Sequence, residues 1–137
     1  MDYQTTARVL VLDQDLHTTR LVAFMLRQQG YETQCVLDAE AAILMAESFR
    51  PDALVFDPKA TSGVAGDLLR RLRALPGMAG LRVLTLSARD PFENSDFEIV
   101  AAANSHGRKP LGAATLLELM KGMGVPPSTC FVAEASP

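Results

Sequence analysis

Short apolar runs alternate with longer stretches in which apolar residues recur every third or fourth position. "RVLVL" (Arg8–Leu12) predicts a buried strand, and the pattern after it predicts a helix over 16–29 with Leu21, Phe24, Met25 and Leu26 as its apolar stripe. Gly30 sits where a helix end favours a left-handed residue. Glu32–Val36 reads as a second strand, followed by an alanine-rich helix capped by Asp38 and running to Phe49. Ala53–Phe56 is a third buried strand. The loop "PKATSGVA" leads into the helix "GDLLRRLRAL", which Pro76 and Gly77 end. "LRVLTL" (81–86) is a fourth strand and "NSHGRKP" holds a polar fifth. Helices are predicted over 94–103, from Asn94 or Ser95, and over 113–123.

Strands alternating with helices of about three turns imply right-handed βαβ units on a parallel sheet covered on both faces. Ligands of such sheets bind beyond the carboxyl ends of the strands, where the winding changes direction. Asp13, Gln14 and Asp15 follow the first strand, Asp57 the third, Ser87 the fourth and Lys109 the fifth, so all converge on one rim. Residues 1–124 form the predicted domain, and 125–137 a tail or linker.

Composition narrows the function classes. The 137 residues are 48% hydrophobic and 21% charged, an ordinary globular balance. A formal net charge of −3 gives no electrostatic drive towards nucleic acid or an anionic membrane. Cys35 and Cys130 are far apart and lack metal-ligand spacing, which fits a reducing compartment. No stretch approaches the roughly 18–20 apolar residues of a membrane span, so a cytoplasmic protein is expected. His17 and His106 have no metal-ligating partner at usable spacing. Arg70, Arg71 and Arg73 read as a solvated helix face, and Met120 and Met123 as core.

"VLVLDQD", "PDALVFD", "VLTLSA" and "RKP", in that order and at strand ends, resemble the receiver domains of two-component response regulators, over about 8–123. The resemblance implies a flavodoxin-like sheet of five parallel strands in the order 2-1-3-4-5, with five helices. It also implies a phosphorelay signalling domain rather than an enzyme, limited to self-phosphorylation and self-dephosphorylation. Asp57 matches the aspartate that accepts a phosphoryl group from a histidine kinase or phosphotransfer protein. Ser87 matches the hydroxyl that turns to the phosphoryl oxygens, and Lys109 the lysine that pairs with them, before Pro110 in a cis bond. Asp13 matches the first of two acidic residues that hold Mg²⁺; Gln14 stands at the second. The carbonyl of Lys59 matches a backbone metal contact, and His106 an aromatic switch position. The downstream protein partner is expected on the face of the fourth helix, last strand and last helix.

The chemistry of phosphoryl transfer to a carboxylate suits this set, because a cation and a fixed ammonium offset the repulsion between like charges. The departures are specific. Gln14 removes one negative charge from the metal site, leaving a weak Mg²⁺ site. Pro58 and Lys59 replace the usual pair after the phosphoacceptor, and the Lys59 ammonium is able to reach the cation's position. Arg89 adds a second positive charge near the rim. Asp15 reads as the cap of the first helix rather than a site residue. Two alternatives follow: a pseudo-receiver that binds partners independently of phosphorylation, and a nucleotide- or flavin-binding enzyme. The second lacks a glycine-rich loop after the first strand.

Overall fold

The computed structural model describes residues 2–61, 64–88 and 102–132. Its main sheet consists of β2 (Arg8–Leu12), β3 (Glu32–Val36), β4 (Ala53–Phe56), β5 (Arg82–Ser87) and β6 (Ser105–Arg108). These strands are all parallel and ordered β3-β2-β4-β5-β6, the doubly wound arrangement expected. Helices α1 (Leu16–Gln28), α2 (Ala39–Phe49), α3 (Ala65–Ala74) and α4 (Ala113–Gly122) connect or follow them. The helix expected over 94–103 lies, apart from its last two residues, outside the described residues.

Strand periodicity divides the core into two layers. Leu10, Leu12, Leu54 and Phe56 pack with Ile43 of α2 and Leu68, Leu69 and Leu72 of α3. Val9, Val11, Val55, Leu84 and Leu86 pack with Leu26 of α1 and Leu116 and Met120 of α4 on the opposite face. The start of α2 and the stop of α1 have local causes. Asp38 accepts from the Ala41 amide at 2.8 Å to open α2, and Gly30 takes a left-handed φ of 98° just beyond α1.

Gly107, expected to weaken β6, has a packing reason. A Cβ there would lie 2.6 Å from Leu86 Cδ2 and 3.2 Å from Leu119 Cδ1, so the close approach of α4 to β6 requires its absence.

Two expectations are corrected. The buried face of α1 is Thr19, Val22, Ala23 and Leu26, whereas Leu21 and Phe24 are more than half exposed. The long apolar side chains suggested one stripe, but the smaller residues meet the sheet. Arg73 is not on a solvated face: its guanidinium donates to the carbonyls of Leu81 (3.0 Å) and Ala102 (2.7 Å) and to Asn104 Oδ1 (3.1 Å). Burial lowers its pKa first, with a further contribution from nearby Arg82. Residues 2–6 and 128–132 also meet. β1 (Asp2–Thr6) and β7 (Ser128–Val132) form a separate antiparallel ribbon, with Asp2 opposite Val132 and Thr6 opposite Ser128. The Ala7 amide donates to the Pro127 carbonyl at 2.9 Å and the buried Tyr31 hydroxyl to that of Val125 at 2.5 Å, anchoring the ribbon to the main sheet.

Candidate functional site

β2 and β4 pair in register, Leu12 opposite Phe56, so the residues that follow them emerge side by side. The Asp13 amide donates to Val36 and the Asp57 amide to Leu12 (3.0 Å), extending the ladder one step beyond the strands. Two carboxylates are therefore fixed at the rim by backbone pairing, both almost wholly buried. Ser87 is the last residue of β5, half-buried, and its carbonyl accepts from the Lys109 amide at 2.9 Å. The Lys109–Pro110 bond that follows is cis, as expected.

Lys109 is the centre of the corner. Its Nζ lies 2.6 Å from Asp13 Oδ2 and 2.8 Å from Asp57 Oδ2. The second oxygens accept backbone hydrogen bonds, Asp13 Oδ1 from Asp15 N at 3.0 Å and Asp57 Oδ1 from Lys59 N at 2.9 Å. Burial pulls the lysine pKa down, but hydrogen bonds and charge from Asp13 and Asp57 outweigh it, so the ammonium is held above its ordinary pKa. The cation in the corner is thus Lys109; the Lys59 side chain is exposed, and only its amide takes part.

Asp15 turns away from this group. Its carboxylate accepts from His17 N (3.0 Å) and Thr18 Oγ1 (2.9 Å), capping α1, and those bonds, the Thr18 hydroxyl's first, lower its pKa. Gln14 is exposed between the two acids. His106 lies opposite Thr85 in the β5–β6 register and its Nδ1 is hydrogen-bonded to Thr85 Oγ1. The sequence reading overlooked Thr85, which is buried two residues before Ser87. That spacing puts both hydroxyls on one face of β5 and was the available signal.

No family model matches the chain. Response regulator MprA of Mycobacterium bovis (strain BCG / Pasteur 1173P2) is 30% identical over 118 residues, covering 86% of this chain and 50% of MprA. The chain spans about half the length of the curated relatives it matches. The receiver domain of sensor histidine kinase PA1611 from Pseudomonas aeruginosa PAO1, a structure with a magnesium ion coordinated in its active site cleft, is 25% identical. That match has a TM-score of 0.72 and covers 88% of this chain and 99% of the other. Chemotaxis response regulator CheY4 of Vibrio cholerae shares the fold, with a TM-score of 0.74 at 24% identity over 87% and 99% of the two chains. The parallel order, the acidic corner and these relatives together show the fold of a response-regulator receiver domain, matched over most of the chain.

The corner's donor set fits a divalent cation in reduced form. Asp13 and Asp57 are hard oxygen donors on one rim, and each oxygen keeps a lone pair beyond the hydrogen bond it accepts. One ammonium against two carboxylates leaves a single net negative charge. Among the described residues no third acidic, histidine or cysteine side chain completes a metal-binding group. No helix among them is long and apolar enough to cross a membrane.

Proposed function

We propose that the domain is a phosphorylation-dependent switch in two-component signalling, with Asp57 as phosphoacceptor and a histidine kinase or phosphotransfer protein as donor. The observation that carries this reading is the shared ammonium of Lys109 between two buried carboxylates at the carboxyl rim of a parallel sheet. In the transfer, an Asp57 oxygen forms the O–P bond as the P–N bond of the donor phosphohistidine breaks, and the leaving imidazole keeps that electron pair. Lys109 offsets negative charge on the phosphoryl oxygens and the Ser87 hydroxyl donates to one of them. Asp13 and Asp57 would hold Mg²⁺ weakly, with the Gln14 amide oxygen and Lys59 carbonyl as neutral contributors. Bound there, the cation supplies charge neutralisation between the carboxylate and phosphoryl oxygens. His106, bonded to Thr85 on the face of β5 that Ser87 shares, is the residue through which the change reaches the partner surface of β6, α4 and the helix expected over 94–103.

The second reading, a binding module independent of phosphorylation, has one specific support: every carboxylate oxygen of Asp13 and Asp57 already accepts a hydrogen bond. Incubation with acetyl phosphate and Mg²⁺, followed by intact-mass measurement, separates the two. A switch gains one phosphoryl group that Asp57→Asn abolishes. A chain that stays unmodified at every Mg²⁺ concentration is the binding module.

A further inference from the structure

At the end of the sheet opposite the acidic corner, the terminal ribbon walls a cleft of about 250 Å³ between Thr5, Ala7, Val125 and the starts of β4 and β5. Two opposite charges line it, Asp52 just before β4 and Arg82 at the start of the adjacent β5. The Arg82 amide donates to the Asp52 carbonyl at 3.1 Å, so the residues are backbone neighbours. Yet among the described residues their side chains form no ion pair with each other or with any other group. Asp52 Oδ2 accepts from the Arg8 amide at 2.8 Å, which fixes its carboxylate and leaves Oδ1 for another donor. Gly80 and Gly124 add bare backbone to the walls, with no atom within 4 Å of where a Cβ would stand.

We propose that this cleft binds a small zwitterion, a free amino acid, with its carboxylate on the Arg82 guanidinium and its ammonium on Asp52. Adjacent unpaired charges of opposite sign match the two ends of such a molecule, and a guanidinium fork suits a carboxylate. A cleft of about 250 Å³ is large enough to hold an amino acid. Ala7 and Val125 offer apolar contact to its side chain. The same three strands join the two ends of the sheet: β2 (Arg8–Leu12) leads to Asp13, β4 (Ala53–Phe56) links Asp52 to Asp57, and β5 runs from Arg82 to Ser87.

The test is a backbone-amide NMR titration of the full chain with a panel of L-amino acids, and with acetate and methylammonium as half-ligands. Saturable shifts of Thr5, Gly80, Gly124 and Val125 for at least one amino acid, with Kd on the order of 1 mM, are expected. Neither half-ligand should reproduce them. Arg82→Gln and Asp52→Asn, the latter keeping an oxygen for the Arg8 amide, should each weaken binding about tenfold or more. Absence of saturable shifts in the unmodified chain overturns the proposal, as does equal response to acetate alone or unchanged affinity in both variants.

Discussion

The Lys109 ammonium lies 2.8 Å from Asp57 Oδ2 and is also bonded to Asp13, so one cation ties the ends of β2 and β4 to the segment that follows β6. Removing it leaves two buried like charges on adjacent strand ends. Lys109→Met should cost about 1–3 kcal/mol of stability, less than a fully buried pair because the lysine is partly solvated. Mg²⁺ should then raise the denaturation midpoint more in the variant than in the unmodified chain, since it no longer competes with a resident ammonium. Chemical denaturation with and without Mg²⁺ measures both. Equal Mg²⁺ increments in the two proteins would mean that the ammonium and the metal do not share the corner.

Gly107 provides a packing test. Gly107→Ala drives a methyl group into Leu86 and Leu119, and about 1–3 kcal/mol of destabilisation is expected. Gly122→Ala, at the end of α4 with open space around it, should be neutral or slightly stabilising. Urea midpoints of the two variants compare them directly. Similar losses in both would remove the steric account of why this edge strand tolerates glycine.

The sheet was legible because its strands are short, apolar and punctuated, and because β2 and β4 are each followed by an aspartate. Chain order alone then brings Asp13, Asp57, Ser87 and Lys109 to one rim. The buried face of α1 was not legible, since Leu21 and Phe24 are more hydrophobic than the Thr19 and Ala23 that pack inward. Helix rotation is set by what fits beneath it, and small residues fit against the sheet. Nor was the ribbon: "DYQTT" and "STCFV" are short segments at opposite ends of the chain, and their pairing depends on a long-range contact that no local pattern encodes. At the corner, the sequence left open which lysine takes the cation's position. Pro58–Thr61 forms a short 3-10 turn that presents the Lys59 amide to Asp57, while its side chain stays in solvent.

Tyr31 gives the fold an alkaline limit. Burial pushes its phenol up to about 12. The folded pKa exceeds the unfolded value of about 10, so the tyrosine's contribution is fully present below pH 10 and is lost as pH rises towards 12. Tyr31→Phe also gives up the hydrogen bond to Val125, about 1 kcal/mol at neutral pH. Denaturation midpoints measured from neutral to strongly alkaline pH should therefore converge for the two proteins above pH 10. A constant gap across that range would show that ionisation of Tyr31 is not linked to folding.

Gln14 and Asp15 can be separated because the structure gives them different surroundings. Asp15 is committed to the α1 cap through His17 N and Thr18 Oγ1. Asparagine caps helices about as well, so Asp15→Asn should leave both stability and Mg²⁺ binding nearly unchanged, while Asp15→Ala costs about 1 kcal/mol. Gln14 is exposed beside Asp13 and carries no charge. Gln14→Asp restores a third carboxylate to a corner whose net charge is otherwise only one negative, and Mg²⁺ prefers charged oxygen to a neutral amide. Tighter Mg²⁺ binding by calorimetry and faster acetyl-phosphate labelling of Asp57 are expected, each by about tenfold if the added charge contributes roughly 1.4 kcal/mol. The two measurements also distinguish causes. Tighter metal binding without faster labelling would assign the limit to the Lys109 clamp on Asp57, and loss of metal binding in Asp15→Asn would transfer the metal role to the residue assigned here to the cap.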